Sequence, residues 1–161
     1  MEFKTDILLK HSIWNKATKL ENELKIFSRL VDIYIVACTI GVADDEIVEN
    51  DTSDIVRQIA RNTLATNYDV NELLSFIYQN AILSTKKINI SVDERKAIAF
   101  SGEQIDSKLS PSNFLVPYAT YGMIKLCDKM TNHDVESIEN LLSLIEDYRN
   151  KLFDDIDNIE I

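Results

Sequence analysis

The stretch Phe27 to Gly41, FSRLVDIYIVACTIG, limits what this chain can fold into more than any other. Wound as a helix, it spreads Phe27, Leu30, Val31, Ile33, Tyr34, Ile35, Val36, Ala37, Cys38 and Ile40 over every side of the wheel. A surface helix carries one apolar stripe, whereas a helix apolar all round is enclosed by its neighbours. A bilayer crossing needs roughly 20 apolar residues, and this shorter stretch also holds Arg29 and Asp32. It therefore predicts a buried central helix over 27–41. Gly41 stands where a left-handed C-terminal cap would end it.

The rest of the chain is expected to wrap around that helix. At 161 residues it fits a single domain. Three glycines and two prolines leave few turn signals and favour long helices over many strands. The expected fold is all-α: one compact domain over 1–153 of about six or seven helices, then a frayed acidic tail over 154–161. Cys38 and Cys127 lie in apolar helical patterns and read as buried, reduced thiols. The N-terminal MEFKTDILLK lacks the apolar core and small-residue cleavage site of a signal peptide. A cytoplasmic protein without membrane association is expected.

Periodicity places the other elements. Asp6 to Lys25 reads as helix with a break near His11–Ser12, anchored by Trp14. Ala43 to Asp54 reads as an acidic loop, with Asp51, Thr52 and Ser53 as N-caps for a helix over 55–64. Asp69 would cap a helix from Val70 to Leu83 whose buried face includes Leu73, Leu74, Ile77 and Tyr78. Lys87 to Ile90 is the best strand candidate. Ser91-x-x-Glu94 is a capping box opening a short helix to Phe100. Ser110-Pro111 starts a helix that Pro117 either kinks or restarts. After a break at Asn132–Asp134, Val135, Ile138, Leu141, Leu142, Ile145, Leu152 and Phe153 recur near heptad spacing, a seam either inside the domain or against a partner.

The net charge of −10 sits in two places: residues 42–56 carry −6 and residues 128–161 carry −7. Phosphate neutralisation needs Lys and Arg, so direct nucleic-acid binding is not expected. Arg57 with Arg61, and Lys86 with Lys87, are patches too small to reverse this, and Tyr118 with Tyr121 reads as core rather than a base-stacking platform. Phosphate-cradling glycine loops, H-E-x-x-H, G-x-S-x-G and C-x-x-C are all missing from the sequence. His11 and His133 fall at helix breaks, where capping or solvated imidazoles are the ordinary case. Asp32 within an apolar helix requires a donor or a raised pKa, and Arg29, three residues earlier, can pair with it. Asp44, Asp45, Glu46, Glu49, Asp51 and Asp54 lack the ligand alternation and central glycine of a calcium loop. No metal or cofactor is expected.

One segment resembles a known group. Phe27-x4-Asp32-x-Tyr34-x2-Ala37-x2-Ile40-Gly41 is similar to a helix of the small accessory proteins of bacterial DNA-phosphorothioation and phage-defence systems. The resemblance covers this helix alone and carries over no catalytic residue; it implies a small subunit working beside partner enzymes. The expected function is thus a non-enzymatic protein–protein interaction module, self-assembling or heterologous. Its interaction candidates are Arg29, Asp32, Asp44, Asp45, Glu46, Leu142 and Ile145. Two alternatives stand beside it: an acidic decoy or inhibitor of a nucleic-acid-binding protein, and a helical enzyme using carboxylates with a divalent ion.

Overall fold

The computed structural model describes residues 3–23, 25–101, 106–131, 142–143 and 145–151. The fold is all-α, with one two-stranded sheet of three residues per strand among the described residues. The central helix, α1, spans Leu30–Asp44, three residues later at each end than the apolar run suggests. Seven of its 15 residues are β-branched, a composition that weakens a helix by up to roughly 0.5 kcal/mol per residue. Burial decides the outcome. Val31, Ile33, Tyr34, Ile40 and Val42 are nearly or fully enclosed, and each such side chain contributes roughly 1.5–3 kcal/mol.

Gly41 is not a cap. It lies inside α1, and the chain leaves the helix through Asp45 (φ 49°), whose N–H returns to the carbonyls of Gly41 and Val42. Gly41 is needed for packing instead. A Cβ there would stand 2.1 Å from the carbonyl oxygen of Tyr118, and one on Gly122 would stand 1.9 Å from that of Ala37. Both glycines let α1 cross the long helix α5 (Pro111–Thr131) with backbone against backbone. α5 runs through Pro117 without restarting, and the Pro117 carbonyl accepts the Val48 N–H at 3.0 Å, tying the loop after α1 to the helix. Trp14 is a core anchor: it is fully buried, and its indole donates to Thr120 Oγ1 at 3.4 Å.

The N-terminal segment opens as a strand rather than a helix. β1 (Ile7–Leu9) pairs antiparallel with β2 (Arg57–Ile59), burying Ile7, Leu9 and Ile59. Asp6 extends the tie by accepting from Gln58 Nε2 at 2.5 Å and from the Arg61 N–H at 2.7 Å. The expected helix over 55–64 is consequently split into β2 and the short α2 (Arg61–Ala65). No helix starts at Asp51–Ser53. Asp51 instead accepts from the backbone and hydroxyl of Ser12, at the start of a 3-10 turn (Ser12–Lys16) capped by His11.

The helix α3 spans Tyr68–Ser84 and is capped by Asn67 rather than Asp69. Lys87 to Ile90 is not a strand. Arg95 reaches across and donates to the carbonyls of Ile82, Thr85 and Ile88 at 2.7–2.8 Å, which holds that loop against the end of α3. The capping box of Ser91 and Glu94 is present at the start of α4 (Val92–Lys96). Residues 142–143 and 145–151 are helical; Ile145 and Tyr148 pack against the core, whereas Leu142 is exposed. Val135, Ile138, Leu141, Leu152, Phe153, His133 and the tail over 154–161 lie outside the described residues. Among those described, no helix is long and apolar enough to cross a membrane.

Candidate functional site

The acidic candidates are brought together at the C-terminal end of α1, as internal ties. Asp44 accepts from Lys151 Nζ at 2.7 Å and from the Tyr121 hydroxyl at 3.3 Å, joining α1 to α5 and to the helix of 145–151. Asp45 accepts from the Thr85 hydroxyl at 2.6 Å and the Lys86 N–H at 3.0 Å. Thr85 Oγ1 lies 2.5 Å from the Tyr118 hydroxyl. The Tyr118 hydroxyl also lies 3.3 Å from Asp45 Oδ1, so the two hydroxyls and the carboxylate form one closed hydrogen-bonded cluster. Burial pushes the Tyr118 phenol well up, and the Asp45 charge adds to this. A proton held so firmly is of no use to a general acid near neutral pH. Glu46 pairs with Lys87 at 3.0 Å.

Arg29 and Asp32 are a surface pair rather than a buried charge. Because α1 starts at Leu30, Asp32 falls in its first turn, partly exposed, and Arg29 meets it through two contacts at 2.6 and 3.0 Å. The first turn of a helix also favours a carboxylate through the dipole. Arg57 is likewise engaged, with Glu21 and Thr18, both at 2.8 Å.

Sequence reading missed the Ser12, His11 and Asp51 cluster, whose members are the types used in nucleophilic catalysis. Its geometry is wrong for that chemistry. His11 Nδ1 accepts from the Ile13 N–H, its Nε2 lies 3.7 Å from Asp51, and Ser12 donates directly to Asp51. The serine thus bypasses the imidazole that would have to take its proton. The tie to Ser12 holds the Asp51 carboxyl below its ordinary range. Among the described residues, no group of three or more His, Cys, Asp and Glu side chains is placed to share a metal ion.

The feature that remains is a groove. The side of α1 bearing Ile35, Val36 and Thr39 is only half-buried and faces α3 and the helix of 145–151. Leu73, Phe76 and Ile77 form one wall, Ile145 the other, around an opening of about 490 Å³. The spacings of i, i+1 and i+4 on α1, and i, i+3 and i+4 on α3, put these residues on facing sides. Thr39 donates its hydroxyl to the Ile35 carbonyl at 2.9 Å, so its polar atom is satisfied within the helix. Asp69, Glu72 and Arg149 make the charged rim, and Arg149 pairs with Glu146 at 3.3 Å.

Of the two seam candidates, Ile145 lines this groove and packs on the core, while Leu142 is 58% exposed. Leu73, expected on the buried face of its helix, is 45% exposed. Its i, i+3 relation to Phe76 was readable; that this part of α3 lies uncovered was not. Comparison with known protein families, with characterised proteins and with solved structures finds no match for this chain.

Proposed function

We propose that this chain is a non-enzymatic interaction subunit whose groove between α1, α3 and the helix of 145–151 receives an amphipathic helix from a protein partner. The observation that carries this reading is the apolar floor itself: the helix with the most apolar sequence in the chain leaves Ile35 and Val36 half-buried there. Helix-in-groove recognition takes a stripe of anchors at i, i+3, i+4 and i+7. The partner helix should carry basic residues beside that stripe. Asp69 and Glu72 on the rim have no ion pair with any described residue, and the chain is strongly acidic. A second copy would set the same acids against each other, so a heterologous partner is favoured over self-association.

The likeness of Phe27–Gly41 to accessory proteins of phosphorothioation and phage-defence systems supports a DNA-modifying or DNA-cleaving enzyme as that partner. The decoy reading has less support, because Asp44, Asp45, Glu46 and Asp51 are engaged within the chain. The test is capture of the partner from the native host with the wild-type chain and with Leu73→Glu, at low and high salt. Leu73 is exposed enough for the variant to fold, which its melting temperature checks. The wild type should keep the partner at high salt, since apolar burial is little screened, and Leu73→Glu should lose it. A partner kept by the variant, or released from the wild type by salt alone, would overturn the proposal.

A further inference from the structure

A second concavity, sharing no lining residue with the groove, lies where β1, the loop after α1, the loop after α3 and the first half of α5 meet. We infer that it binds a small amphiphilic anion, a molecule with an apolar body and one negatively charged group.

The cleft measures about 600 Å³, within the range of sites that hold metabolites. Its floor is apolar, formed by Ile47, Ile90, Phe114 and Val116, with the exposed Leu8 beside them. Its rim gathers Lys10 from the end of β1, Lys87 from the loop after α3, and Lys108 from the turn before α5. Three lysines from distant parts of the sequence thus face one opening in a chain of net charge −10.

Two acids share the rim and limit the field. Asp106 is engaged as the cap of its turn, accepting from the Lys108 N–H at 2.9 Å, and Glu49 is exposed. Lys87 is paired with Glu46 at 3.0 Å, whereas Lys10 and Lys108 meet no carboxylate among the described residues. The amides of Asn50 and Asn89 add polar groups at the same opening. Lysines on a convex surface would leave a bound anion in water. Here the apolar floor displaces water from the ligand body, and a charge held beside that floor interacts more strongly than one in bulk solvent. A purely hydrophilic anion would use only the rim, and an uncharged apolar molecule only the floor.

The test is fluorescence titration of the full chain with 8-anilinonaphthalene-1-sulfonate, an aromatic body bearing one sulfonate. The Lys10→Gln/Lys108→Gln variant should bind it roughly tenfold more weakly, two lost ionic contacts of ordinary surface strength, with a flatter dependence on salt. Leu73→Glu, in the other groove, should leave the affinity unchanged. Uncharged 1-anilinonaphthalene should bind wild type and the lysine variant alike. An absence of binding, an affinity indifferent to the two lysines, or an affinity lost in Leu73→Glu would overturn the inference. Unchanged melting temperatures confirm that the variants fold.

Discussion

Tyr34 carries the one buried side-chain oxygen among the described residues that lacks a hydrogen-bond partner. Its ring packs beside Trp14, the Cys38 thiol one turn on offers the hydroxyl no more than a weak sulfur contact, and burial pushes its pKa well up. A buried hydroxyl without a partner costs about 1–3 kcal/mol, because its bonds to water are lost and not replaced. Tyr34→Phe removes that cost and keeps the ring. It should stabilise the protein by about 1 kcal/mol, a rise of about 2–4 °C in melting temperature for a chain of this size. The pH dependence has a definite sign. Unfolded tyrosine ionises near pH 10, while folded Tyr34 holds its proton to higher pH. Its share of stability is therefore complete below about pH 10 and falls above it. The variant's loss of stability on going alkaline should be shallower than that of the wild type. A lower melting temperature for Tyr34→Phe would mean that the hydroxyl has a strong partner. At this scale the Arg29–Asp32 pair was legible from its i, i+3 spacing. Its exposure was not, since that depends on where α1 begins.

Among the elements, the crossing of α1 and α5 holds the architecture together. Gly→Ala inside a helix ordinarily gains about 1 kcal/mol from propensity. At Gly122 the new methyl would meet the Ala37 backbone, which cannot turn aside as a flexible side chain would. Overpacking of this kind costs typically 1–3 kcal/mol and sometimes more, so the clash decides the sign. Gly122→Ala and Gly41→Ala should each lower the melting temperature, by up to about 8 °C once the propensity gain is set against the clash; a rise in either would refute the close crossing. The central helix was legible because burial on nearly all sides leaves an apolar imprint on every position. The role of Gly41 was not, because what it touches, Tyr118, is far away in sequence. Strands of three residues are too short for alternation to reveal: Ile7–Leu9 passed for one face of a helix, and Lys87–Ile90 looked like a strand but has no partner.

For the whole molecule, net charge proved a poor guide to free charge. Asp44 and Asp45 link α1 to α3, α5 and the helix of 145–151, so part of the acidic loop holds the fold together. Composition counts such residues without showing their partners. The groove was partly legible: Ile145 was a candidate in a stripe that could pack inside the domain or against another chain, but not as one wall of a cleft. Leu73 was hidden because exposure on α3 depends on what packs against it, which the periodicity of α3 alone does not show. The central claim is that the groove, rather than the acidic loop or the cleft above α5, receives the protein partner. Hydrogen exchange on the purified complex tests it most directly, by comparing backbone protection with that of the free chain. Added protection is expected over 35–39 and 69–77, with 42–56 unchanged. Protection confined to 42–56, or to the strand end of the molecule, would contradict it.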